Sequence, residues 1–150
     1  FTPIMAIGFL GGMFLKNYKF LYAIPLLAML LSDIVLEYFY GYGFHSMMPF
    51  VYFGIVICTF IGSRLNVDSK PLKVIGFTFT SSFIFFLISN FGVWIYGYPK
   101  TLPGLISCYT LALPFYKNAL AGDLFYTVGI FGLYLFYREL TANHVSDIVK

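Results

Sequence analysis

The sequence predicts an all-α integral membrane protein, and three observations carry that expectation. Of its 150 residues, 60% are hydrophobic, 22% aromatic and only 10% charged, with a mean hydropathy of +0.86. A water-soluble domain carries about 25% charged residues. One of this length has too little interior to hide so much Phe, Leu and Ile, so lipid has to solvate much of the chain. Most of the charges fall between apolar runs, the distribution that insertion into a bilayer requires. Finally, the runs are long and apolar on all sides, whereas membrane-barrel strands alternate in polarity over about ten residues.

Five apolar spans are visible. The first, PIMAIGFLGGMFL at 3–15, is short for a hydrocarbon core of about 30 Å at ~1.5 Å per residue. It is expected to lean on other helices or to continue upstream. The second, third and fifth cover 20–39, 47–63 and 118–137, and the fourth covers 72–96, long enough to cross with tilt. A further apolar segment, GLISCYTLALPFY at 104–116, follows Pro103 and is interrupted near its end by Pro114. It is too short to cross, which predicts a short outer half-helix. The chain opens on Phe beside an apolar run, with no charged stretch and cleavage site ahead of it. That start predicts one preceding span, hence six in a single transmembrane domain that includes all of 1–150.

The basic residues predict orientation. Lys16 and Lys19 lie between spans one and two, Arg64, Lys70 and Lys73 between three and four, and Arg138 and Lys150 after five. The segment 40–46 has no Lys or Arg, and 97–117 has only Lys100 and Lys117. The positive-inside rule then places 16–19, 64–73 and the C-terminus in the cytoplasm, with 40–46 and 97–117 outside. A net charge of +3 is too small to point to nucleic acid as a partner.

Asp33 and Asp123 sit a few residues inside the predicted outer ends of spans two and five. An ionised carboxylate in lipid costs at least ~2.5–3.5 kcal/mol, so such groups face a cavity or a partner. Either they line an outward-facing pocket or they hydrogen-bond neighbouring helices. Glu37, one turn beyond Asp33, reads as solvated. The outer segments are dense in Tyr and Trp, among them Trp94, Tyr96 and Tyr98, which an aromatic belt at the headgroups largely explains. It does not explain Asn90, about a turn below Trp94 on the same face, whose amide needs partners. Asn90 and Trp94 together could supply a hydrogen-bonding head and a stacking wall. The 97–117 segment would form a lid stiffened by Pro99 and Pro103.

Other residues point to bland roles. His45 reads as a loop histidine, and Cys58 and Cys108 as structural thiols; no metal-ligand spacing surrounds them. Neither metal nor cofactor is expected. Walker A, G-x-S-x-G and H-E-x-x-H sequences are absent, as are an arginine series and a TVGYG filter. With no nucleophile–base pair in view, enzymatic activity is not expected, and without an ATP site the chain cannot drive primary transport alone. Gly8-x-x-x-Gly12, with Gly11, makes a small-residue face for helix packing within the chain or docking of another membrane subunit.

At LALPFYKNALAGDLFYT, 111–127, the sequence resembles the substrate-binding S components of energy-coupling factor (ECF) transporters. These often show Pro-Phe, a gap, then Gly-Asp-Leu opening the last span; Pro114-Phe115 and Gly122-Asp123-Leu124 fit, with a longer gap. FTPIMAIGFLGG is similar to their second span. Nearly the whole chain also resembles an uncharacterised family of small bacterial membrane proteins, with close counterparts of NFGVW, YPKTLPGL, PFVY and GDLFYT.

The resemblance implies a six-helix bundle in the bacterial cytoplasmic membrane with both termini inside and a pocket open to the outside. The ligand would be a vitamin or related micronutrient, and the partners a membrane scaffold subunit and two cytoplasmic ATPases. Scaffold docking in that group uses small residues of the first span, which would precede Phe1; Gly8 and Gly12 are the docking candidates visible here. The biotin-binding members carry Lys three residues after the Asp, where this chain has Tyr126, which argues against biotin. The expected binding residues are thus Asn90, Trp94, Asp123, Asp33, Tyr98, Lys100 and Tyr126, with Lys100 or Lys117 offering charge to an anionic ligand. Two other readings stay open. One is a self-sufficient ion-coupled carrier in which Asp33 and Asp123 titrate, and the other is a structural subunit of a larger membrane complex.

Overall fold

The computed structural model describes residues 4–15 and 18–148, with side chains described over 6–15 and 20–141. Lys16 and Lys150, two of the charges used for orientation, lie outside the described residues, as does the side chain of Lys19. The described residues form five helices: α1 (Ile4–Phe14), α2 (Tyr18–Tyr40), α3 (Met48–Gly62), α4 (Pro71–Gly97) and α5 (Leu102–Ile148). Phe20–Tyr40, Pro71–Gly97 and Leu102–Thr141 are long and apolar enough to cross a membrane, while α3 is apolar but shorter.

Local sequence sets most of the helix ends. Gly41 takes φ 70 after α2, and its N–H donates to the Glu37 carbonyl at 2.9 Å; the left-handed cap suits glycine because it has no Cβ to clash. Pro71 opens α4 behind an extended Lys70, a position where the missing N–H costs nothing. Tyr98 is extended at φ −129, ψ 157 because Pro99 excludes helical geometry from the residue before it, and α4 stops there.

One expected element is corrected. The half-helix at 104–116 and the span at 118–137 are a single helix, α5, of 47 residues with Pro114 inside it. Proline removes one backbone bond, to the Thr110 carbonyl, and crowds that carbonyl. Where little water competes for the freed group, the residues around it keep the helix going. The predicted lid therefore shrinks to the turn at 98–101, and 102–117 is the first third of α5.

Helix α3 is central and packs against α1 on one side and α4 on the other; α5 packs on α4, and α2 lies across α1 and α3. The approach of α1 to α3 is backbone to backbone. A Cβ on Gly12 would meet the Thr59 carbonyl oxygen, and one on Gly62 would meet the Phe9 carbonyl oxygen. Gly8 faces Thr59 Oγ1 and Pro25 in the same seam. Gly8 and Gly12, candidates for docking a partner, are instead buried inside the chain by α3, since two helices this close leave no surface between them. Between α3 and α4 the notches are filled by rings. A Cβ on Gly54 would stand 2.6 Å from Phe85, and one on Gly92 2.7 Å from Phe50.

At one end of the bundle Phe9, Leu10 and Met13 of α1 pack with Leu65, Val74 and Phe131 into a core that joins α1, α4 and α5. The outward faces stay apolar: Leu31, Phe53, Phe79, Phe125 and Leu133 are all exposed. Such surface would be unfavourable in water and is ordinary in lipid.

Candidate functional site

Helices α4 and α5 run antiparallel, and their contacts can be followed as a ladder. Cys108 Sγ lies 3.5 Å from the Asn90 carbonyl oxygen, and the Tyr109 hydroxyl donates to the Leu87 carbonyl at 2.7 Å. Next the rings of Phe86 and Tyr116 stand 4.7 Å apart, and Ser82 and Asp123 line one recess. Val74 and Phe131 share the core beyond, and Arg138 pairs with Asp68 at the far end. The spacing is uneven. From Cys108 to Asp123, α5 covers about 22 Å of helix rise while α4, from Asn90 to Ser82, covers about 12 Å. Pro114 lies within the stretch of α5 that carries the surplus rise.

A cavity of about 450 Å³ lies between the two helices. From α4 come Ser82, Ser89 and Asn90, alternating with the rings of Phe85 and Phe86. From α5 come Phe115, Tyr116, Asn118 and Asp123, with Ala112 and Ala119 giving the room. Asp123 is only 4% exposed. Asn90 uses one amide hydrogen on the Phe86 carbonyl at 2.8 Å; its amide oxygen makes no hydrogen bond among the described residues. The Tyr116 hydroxyl is buried without a hydrogen-bond partner among the described residues. A mostly apolar recess with a few convergent polar groups, some of them unsatisfied, is the usual form of a small-molecule site.

Of the residues expected to bind, the structure brings Asn90 and Asp123 to this one cavity. The others lie elsewhere. Asp33 is 3% exposed and accepts a 2.6 Å hydrogen bond from the Tyr52 hydroxyl, between α2 and α3. Trp94 does not face the cavity: its indole N–H donates to the Pro99 carbonyl at 3.1 Å and its ring packs on Phe91, so it ties the α4–α5 turn. Tyr98 caps α4 through its backbone, and Lys100 is an exposed residue of the turn. Tyr126 packs beside Phe125 without lining the cavity. Trp94, Asp33, Tyr98, Lys100 and Tyr126 are therefore corrected as cavity-lining residues. Lys117 is likewise exposed and outside it.

Sequence reasoning missed Ser82, Ser89, Phe85, Phe86 and Asn118, and took Tyr116 for belt. A signal did exist. Ser82, Ser89 and Asn90 recur at two-turn spacing along an otherwise apolar run, which puts small polar groups on one helix face.

Outside the cavity, the buried Ser81 and Thr127 hydroxyls also make no hydrogen bond among the described residues. Cys58 Sγ donates to the Ser81 carbonyl at 3.3 Å, which fits a structural thiol. Among the described residues, no three His, Cys, Asp or Glu converge on a possible metal position. A larger recess of about 770 Å³ lies at the other end of α3. Its charges are already engaged: Arg64 lies 4.5 Å over the Phe60 ring and Asp68 pairs with Arg138.

Fold and site together define a class, a helical bundle with membrane-length apolar helices and a polar-floored cavity between two of them. Within that class the chain belongs to a family of unknown function, DUF6580, whose model matches residues 1–144. No curated protein and no solved structure matches it.

Proposed function

We propose that this protein is the membrane-embedded substrate-binding subunit of a vitamin or micronutrient uptake transporter, of the ECF S-component kind. In this reading it sits multi-pass in the bacterial cytoplasmic membrane with its C-terminus inside. The single observation supporting it is the α4–α5 cavity, which sets Asn90, Asp123 and a Tyr116 hydroxyl with no partner among the described residues beside phenylalanine rings in an apolar bundle. With no ATP-binding sequence in the chain, uptake would depend on a scaffold subunit and ATPases supplied by other chains.

The test is native mass spectrometry of the protein purified in mild detergent from its own host, with released small molecules identified. A stoichiometric micronutrient, lost in Asn90→Ala and Asp123→Ala variants that still fold, is the expected result. An empty protein carrying other membrane chains would overturn the reading in favour of an assembly subunit. One observation favours a second reading, an ion-coupled carrier: a separate buried carboxylate, Asp33, is held by Tyr52 on a different helix pair. Uptake in vesicles that collapses with the proton gradient and needs no ATPase would select it.

A further inference from the structure

The cavity has a charge character that narrows its ligand. Asp123 is the one ionisable carboxylate in the lining, and no Lys, Arg or His contributes to it. Lys100 and Lys117, the two basic residues of 97–117, are exposed and do not line it. Within the described residues, the lining therefore gives Asp123 a hydroxyl neighbour, Ser82, and no cationic side chain. A buried carboxylate without a counter-charge is unfavourable, and a ligand that brings one relieves that cost. An anionic ligand would add a second negative charge to the same low-dielectric space.

The walls point the same way. Phe85, Phe86 and Tyr116 bring three rings to the lining beside this acid, while Phe115 is largely exposed at its edge. Aromatic faces carry negative charge density and attract a cation held over them, more so when water is excluded. The remaining polar groups suit an uncharged heteroatom on the same molecule: the buried Tyr116 hydroxyl, without a partner among the described residues, and the Asn90 amide oxygen. The volume of about 450 Å³ accommodates one or two fused rings with a short substituent.

We infer that the α4–α5 cavity selects an organic cation, a flat ring system bearing a protonated or quaternary nitrogen that pairs with Asp123. The inference rests on the ligand-binding reading above and specifies its substrate class. It also reverses the expectation that Lys100 or Lys117 would serve an anionic ligand.

The experiment uses the full chain in lipid nanodiscs and three probes of one shape: N-methylquinolinium, quinoline and quinoline-carboxylate. Binding is read by isothermal titration calorimetry. The cation is expected to bind at least about tenfold more tightly than the neutral probe, with the anion weakest. Asp123→Asn, nearly isosteric, is expected to abolish that preference while the neutral probe still binds, which shows that the variant is folded. Equal binding of the cation and the neutral probe to the unaltered chain, or a preference for the anion, would overturn the charge class but keep the cavity as a ligand site. Binding of none of the three would overturn both this inference and the ligand-binding reading. A cation preference that survives in Asp123→Asn would place the cation elsewhere and overturn the assignment.

Discussion

Tyr52 donates its hydroxyl to Asp33 Oδ2 over 2.6 Å, pinning α3 to α2 around a carboxyl that is 3% exposed. Removing the donor strands a buried acceptor, so Tyr52→Phe is expected to cost about 1.5–3 kcal/mol of stability. Asp33→Asn should cost less, because its amide oxygen still accepts from Tyr52. Thermal unfolding in detergent compares the two. Equal midpoints for Tyr52→Phe and the unaltered protein would mean that another group satisfies Asp33.

Adjacent glycines on α1 should behave very differently. A methyl on Gly12 runs into the backbone of Thr59 and Ser63, whereas one on Gly11 meets nothing nearer than Leu15 at 4.0 Å. Gly12→Ala is expected to force α1 and α3 apart and destabilise by several times the ~1–3 kcal/mol of an ordinary overpacked site, since backbone cannot move aside as a side chain can. Gly11→Ala should be neutral or gain up to about 1 kcal/mol from helix propensity. Folded yield after membrane extraction and unfolding midpoints separate them.

A packing change on α3 should be felt in the cavity. A Cβ on Gly54 would lie 2.6 Å from Phe85 Cδ2, and Phe85 is part of the cavity wall. Gly54→Ala is expected to turn that ring, costing about 1–3 kcal/mol of stability and weakening ligand retention, although residue 54 does not line the cavity. Native mass spectra of the variant provide the check. Full retention of ligand would show that Phe85 gives way without entering the cavity.

Trp94 provides the converse case. Its indole N–H holds the Pro99 carbonyl at 3.1 Å, so Trp94→Phe should loosen the α4–α5 turn by about 0.5–1.5 kcal/mol while ligand occupancy stays unchanged. Loss of ligand in this variant, with the midpoint held, would return Trp94 to the binding residues.

The contrast between Trp94 and Asn90 shows where reading the chain stops. The two lie one turn apart, on what the sequence marks as one face, yet Asn90 lines the cavity and Trp94 closes a turn. A long aromatic side chain reaches whatever acceptor the following turn presents, and the position of the Pro99 carbonyl is a property of that turn, not of α4. Asp33 and Asp123 divide for a similar reason. Both are acids in apolar runs, but α3 supplies Tyr52 to the first and α4 supplies a cavity to the second.

The sequence by itself determined the helical class and nearly all the helix limits. The expected spans at 20–39, 47–63 and 72–96 differ from α2, α3 and α4 by one or two residues at each end, because run length, glycine caps and prolines act locally. Only the tertiary structure decided that 104–116 and 118–137 form one helix, that Gly8 and Gly12 serve α3 and not a partner, and that a cavity lies between α4 and α5 beside Asp123. In helices apolar on every side, hydrophobic periodicity no longer marks which face meets a neighbour. That choice passes to the fit of small residues against rings and backbone, which exists only once the helices are packed.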